Sequence, residues 1–94
     1  MDKQTYLYVI AALEQGPVKI GYSYDPDKRV RQLQTGAPHR LSLFYKQAVA
    51  VKQAKRIEGQ IHRTLGYIRS HGEWFNMSVT DAISEVKFGL MSEV

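Results

Sequence analysis

The sequence predicts a small three-layer α/β sandwich of the α+β class, in which helices flank a three-stranded, mainly antiparallel sheet in the order β-β-α-β-α-α. Three observations predict it. The chain has 94 residues, 44% of them hydrophobic and 23% charged, which suits a single domain over residues 1–94 with ordinary globular composition. Short runs of aromatic and β-branched residues alternate with segments of helical period. The first two such runs are so close that a tight turn must join them into a hairpin.

Tyr6-Leu7-Tyr8-Val9-Ile10 reads as the first strand. Glu14-Gln15-Gly16-Pro17 supplies turn chemistry, and Val18-Lys19-Ile20-Gly21-Tyr22 reads as the second strand. Asp25-Pro26 starts a helix, Asp25 as the N-cap and Pro26 at the first helical position. That helix turns Val30 and Leu33 inward and stops near Gly36, with Pro38 just beyond. Leu41 to Val49 is apolar enough for a third strand. From Ala50 to Leu65, residues Ala54, Ile57, Ile61 and Leu65 recur on one helical face, and Gly66 is a plausible stop. Arg69 to Glu73 reads as a loop, and Trp74-Phe75 as an apolar anchor or short strand edge rather than base-stacking groups. Ser78-Val79-Thr80-Asp81 opens a last helix with Val79, Ala82, Ile83, Val86 and Leu90 inward.

The net charge of +4 is unevenly spread. Residues 28–72 hold ten Lys/Arg and a single acid, Glu58, whereas the flanks hold three bases and eight acids. A basic centre of this kind suits a polyanion, of which nucleic acid is the commonest; a solvated basic surface is the plainer reading. Within that centre Arg31, Lys52, Lys55 and Arg56 are candidates for phosphate contacts, which position a nucleic acid without reading it. The absence of cysteine excludes disulfides and thiolate metal sites. No apolar run reaches membrane-span length, and Met1-Asp2-Lys3-Gln4 lacks a signal-peptide layout. A cytoplasmic protein without a membrane partner is therefore expected.

Glu58 is the most informative single residue. Helical period puts it beside Ala54, Ile61 and Leu65 at the edge of the inward face, where a carboxylate is costly without a partner. It could be an ion-pair member with Lys55 or Arg29. The other reading is the single protein ligand of a Mg²⁺ ion that takes its other ligands from water and substrate phosphate. His62 lies one helical turn further along the same edge. Tyr6 and Tyr8 share a face of the first strand and read as core on their own; Lys19 and Gly21 lie on the second strand, and a glycine inside a strand marks close approach of another group.

Order and spacing carry more than any of these residues alone. Tyr6-Leu7-Tyr8, Lys19-Ile20-Gly21, a helical Arg29, a helical Glu58 and a late Asn76 follow one another in a pattern that resembles the GIY-YIG nuclease superfamily. Lys19-Ile20-Gly21-Tyr22-Ser23, Arg29-Val30-Arg31-Gln32-Leu33, Glu58-Gly59-Gln60-Ile61-His62 and Gly72-Glu73-Trp74-Phe75 are similar to its phage-T5-type branch, over roughly residues 6–76. The resemblance implies hydrolysis of a nucleic-acid phosphodiester with one Mg²⁺ or Mn²⁺, with DNA favoured over RNA as partner. It implies that Tyr8 orients or deprotonates the attacking water, that Lys19 assists in place of the family's tyrosine, that Arg29 holds the phosphate and that Glu58 binds the metal. His62 either supplies the histidine that several family nucleases carry elsewhere or hydrogen-bonds Glu58. Asn76 stands for the family's asparagine. A tyrosine base needs a cationic neighbourhood, which Lys19 and Arg29 are expected to provide. Two other readings compete with an endonuclease: a binding module of the same fold for nucleic acid or a nucleotide, with a decayed site, and a protein-interaction or accessory domain. The four residues Tyr8, Lys19, Arg29 and Glu58 together favour the enzyme.

Overall fold

In a computed structural model, residues 3–71 and 73–92 are described; Met1, Asp2 and Gly72 of the Gly-Glu-Trp-Phe phrase lie outside them. β1 (Gln4–Ala11) and β2 (Val18–Ser23) form the expected antiparallel hairpin, with Tyr8 opposite Gly21 and Ile10 opposite Lys19. Gly16 sits in the turn at φ 87°, a left-handed conformation that favours glycine, and a side chain there would also strike the Met77 carbonyl. α1 (Pro26–Gln34) begins as its sequence requires: the Asp25 carboxylate accepts the Lys28 amide at 3.1 Å and Pro26 stands in the first turn.

β3 (Ser42–Ala50) pairs antiparallel with the other side of β1, and its register shifts between Val9 and Ile10. α2 (Val51–Thr64) follows, then a 3₁₀ turn at Gly66–Ile68. Beyond this turn the structure departs from the expected three strands. Arg69–His71 is a strand, β4, and Trp74–Phe75 is another, β5; among the described residues the sheet has five strands in the order β3-β1-β2-β5-β4. The expected loop from Arg69 is thus mostly sheet, and Trp74-Phe75 is an inner strand between β2 and β4. Strands of three and two residues are too short to display an alternating pattern. They are held by pairing to β2 and by burial of Phe75, which is fully enclosed. α3 (Val79–Met91) closes the chain, with the Ser78 hydroxyl accepting the Asp81 amide at 3.1 Å.

The three-layer arrangement follows from β1 being buried on both faces. Leu7, Val9, Val18 and Ile20 pack against Ala54, Ile57 and Ile61 of α2 and Ala82 and Val86 of α3. Tyr8 and Ile10 face the other way, against Leu41, with Val30 and Leu33 of α1 over them. Each fully buried aliphatic side chain such as Ile57 contributes roughly 1.5–3 kcal/mol. This arrangement leaves two polar side chains, Tyr8 of β1 and Lys19 of β2, on the α1 side of the sheet, and both are all but enclosed. Among the described residues no helix is long and apolar enough to cross a membrane.

Candidate active site

Pleating puts Tyr8, Lys19 and Gly21 on the α1 side of the sheet, because their neighbours Leu7, Val9 and Ile20 are committed to the opposite core. Tyr8 is 2% exposed and Lys19 5%. Gly21 faces Tyr8 across the hairpin and gives its phenol room. Arg29 lies in the first turn of α1, its amide bonded to the Asp25 carbonyl at 3.1 Å, and its guanidinium stands close enough to the Tyr8 phenol to favour the charged form of that group. Trp74, opposite Lys19 on β5, packs with Tyr8, Ile10 and Leu41, so it is a core anchor as expected.

Glu58 and His62 project from one edge of α2 towards the edge of β2. The His62 Nε2 lies 3.4 Å from the Ile20 carbonyl oxygen, and its ring meets Phe75 edge-on at 4.9 Å between centroids. The turn between β4 and β5 brings in Glu73, whose Oε1 receives a 2.8 Å hydrogen bond from the Lys19 ammonium. Donor atoms of Glu58, His62 and Glu73 all lie within 4.8 Å of one another. Among the described residues no ion pair joins Glu58 to Lys55 or Arg29; the ion pair of the site is Lys19–Glu73. Glu73 was not legible as a site residue from its type or position. It stands just outside the basic stretch, and only the Glu-Trp-Phe phrase singled it out.

The charges act on one another. Burial raises the Glu58 pKa above its ordinary value and Glu73 adds to this, while His62 and Lys19 oppose it. Burial also raises Glu73, but the Lys19 hydrogen bond and charge, with weaker help from His62 and Arg29, bring its net value below the ordinary one. Tyr8 is raised, chiefly by burial; the Arg29 hydrogen bond and charge oppose this, and Glu73 and Glu58 reinforce it. The expected cationic neighbourhood is therefore incomplete. Arg29 acts on the phenol as foreseen, but the Lys19 ammonium is engaged by Glu73, and Tyr8 holds its proton more tightly than free tyrosine. Two carboxylates and an imidazole this close form a donor set that suits a divalent cation.

The remaining sequence candidates are spread out. Asn76 is exposed beyond the far end of β5 from Glu73, with its amide bonded to the Ile68 carbonyl at 2.8 Å. Among the described residues no hydrogen bond links its side chain to the cluster. Lys52, Lys55 and Arg56 are exposed on α2, and Lys55 lies one turn before Glu58 on the same helix. Arg31, exposed on α1, lines a shallow hollow with His39 and Arg40, so a second basic surface flanks the α1 side.

The fold and this cluster define a small α+β domain whose polar centre is shared between the sheet, two helices and a strand turn. The chain belongs to the T5orf172 domain family, which it matches over residues 5–89. This is a phage-T5-type domain found in proteins related to GIY-YIG-like nucleases. No curated protein and no solved structure matches the chain.

Proposed function

We propose that the chain is a GIY-YIG-type endonuclease module that hydrolyses nucleic-acid phosphodiester bonds with a divalent cation, acting on DNA in preference to RNA. One observation carries this reading: Tyr8, Lys19, Arg29 and Glu58 come from β1, β2, α1 and α2, and they share one electrostatic environment. A structural core has no need of such a convergence, and phosphodiester cleavage does. It requires an oriented nucleophile, cations at the charged phosphorus centre and a Lewis acid.

The roles follow from the surroundings of each group. Tyr8 holds its proton at rest, so it orients the attacking water by hydrogen bonding, and the proton that the water loses passes to solvent and not to the neutral phenol. Arg29, already directed at the Tyr8 hydroxyl, grips a phosphate oxygen with the guanidinium edge that the phenol does not use. Lys19 faces the same space and is held in position by Glu73. Glu58 would hold the cation, which when bound supplies charge neutralisation at the phosphate and the leaving oxygen. Lys52, Lys55 and Arg56 on α2, with Arg31 on α1, would carry the flanking backbone phosphates.

The test is incubation of the purified protein with supercoiled plasmid, single-stranded DNA and RNA in Mg²⁺, Mn²⁺ or EDTA. Metal-dependent nicking that Glu58→Gln abolishes supports the assignment. Binding without cleavage under every metal would favour the decayed-site binding module instead.

A further inference from the structure

Resting on the hydrolytic reading of the same cluster, we propose that Glu58, His62 and Glu73 together form a three-donor site selective for a transition-metal dication such as Mn²⁺ or Zn²⁺. Glu58 would then share the cation with two further ligands, one of them nitrogen, and the site would differ in kind from a one-carboxylate Mg²⁺ site.

The geometry carries the proposal. Glu58 and His62 are four residues apart on α2, so a rigid helix fixes their spacing. Glu73 approaches from a different element, the turn joining β4 to β5. Their donor atoms lie within 4.8 Å of one another. Ligands held at about 2.0–2.2 Å from a metal stand roughly 3–4 Å apart, so small side-chain rotations close the site. His62 also has the outer contact that metal-binding histidines commonly make. Its Nε2 faces the Ile20 carbonyl at 3.4 Å, and a proton donated there leaves the lone pair on Nδ1. The edge-on contact with Phe75 restrains the ring plane.

The Lys19–Glu73 ion pair does not preclude ligation. Lys19 takes Oε1, which leaves the second carboxylate oxygen of Glu73 available. With Lys19 counted, two carboxylates still exceed the one cation paired within the cluster. The donor chemistry decides the metal. Mg²⁺ prefers an all-oxygen shell rich in water, whereas imidazole favours later divalent ions, in the order Mn²⁺ below Zn²⁺.

The test is calorimetric titration of the full chain with MnCl₂, ZnCl₂ and MgCl₂, repeated for Glu58→Gln, His62→Gln and Glu73→Gln. Circular dichroism checks that each variant is folded. Wild type is expected to bind Mn²⁺ at least about tenfold more tightly than Mg²⁺. Each substitution is expected to weaken Mn²⁺ binding about 10–100-fold, and His62→Gln to erase the preference over Mg²⁺. Nitrogen coupling in the electron paramagnetic resonance of the bound Mn²⁺ tests the same ligand in wild type, whether or not a variant folds. Unchanged Mn²⁺ affinity in folded His62→Gln and Glu73→Gln, with loss only in Glu58→Gln, overturns the three-donor site and leaves the nuclease reading standing. Three-ligand binding by a protein that cuts no nucleic acid supports the site and removes the nuclease reading.

Discussion

The phenol of Tyr8 occupies the space that a side chain on Gly21 would need: its hydroxyl oxygen is 2.6 Å, and its Cζ 2.9 Å, from where a Cβ on Gly21 would stand. The two residues face each other across the hairpin, so neither backbone can yield alone. Gly21→Ala is expected to push the hydroxyl away from its place beside Arg29. A displacement of this size costs on the order of 10²-fold in rate, and overpacking costs about 1–3 kcal/mol of stability. Single-turnover cleavage beside a melting curve measures both. A variant that cuts like wild type would show that the position of Tyr8 does not matter.

Tyr8→Phe separates chemistry from folding. The ring keeps its burial, and loss of the hydroxyl should cost no more than about 1 kcal/mol. Loss of the hydroxyl that orients the attacking water should lower the rate by about 10², and Arg29→Ala should do at least as much. The measurement is single-turnover cleavage at a temperature where the variant remains folded. Normal cleavage by Tyr8→Phe removes Tyr8 from the mechanism.

Glu58 and Glu73 are expected to affect stability in opposite directions. The folded pKa of Glu58 is raised above 4.5, so its ionisation opposes folding. The penalty is absent well below pH 4.5, sets in as pH rises through the raised value and persists above it. Glu58→Gln should therefore raise the melting temperature by a few degrees at neutral pH in EDTA, and not at acid pH. Glu73 is lowered below 4.5, so its contribution is present above that value and fades as pH falls through the folded one. Glu73→Gln should lower the neutral-pH melting temperature, with the difference disappearing in acid. Both carboxylates are partly solvated, so both effects are small. Melting curves from pH 3 to 8 decide the signs.

Thr5 offers a stabilising substitution away from the site. It is 1% exposed on β1, and among the described residues its Oγ1 has no hydrogen-bond partner. Thr5→Val keeps the shape and removes a buried unsatisfied hydroxyl. A gain of about 1 kcal/mol is expected, or roughly 4–8 °C in a domain of this size. An unchanged or lower melting temperature would mean that the hydroxyl has a water partner.

Nucleic-acid affinity should fall steeply with salt. Lys52→Ala with Lys55→Ala should weaken binding to all sequences alike and reduce the slope of log affinity against log salt by about 2. Equal slopes for wild type and variant would move the phosphate path off α2.

Much of the fold was legible because its main elements carry their own signals. The Asp25-Pro26 start, the Ala54–Ile57–Ile61–Leu65 face and the Gly16-Pro17 turn each reflect a local physical constraint, and each stands where its residues require. Sites on regular elements were legible for the same reason, since strand alternation placed Tyr8 with Gly21, and helical period placed Glu58 with His62. What could not be read depends on contacts distant in sequence. β4 and β5 exist because β2 offers them an edge and Phe75 has a core to enter. Glu73 enters the site only through them, and its pairing with Lys19 spans 54 positions. The weak cationic effect on Tyr8 was equally hidden, because it depends on that pairing.

Among the described residues the β4–β5 hairpin joins the rest of the sheet through two residue pairs, Val18 with Phe75 and Lys19 with Trp74. So short a ladder has little cooperativity of its own, and its amides should exchange with solvent through local opening well before global unfolding. Glu73 rides on this hairpin while Glu58 and His62 ride on α2, so opening of the hairpin takes the three groups apart. Anything that bridges them must then slow that opening by the free energy of its own binding. The amide of Asn76, bonded across to Ile68, becomes a reporter of the distant cluster through its exchange rate alone.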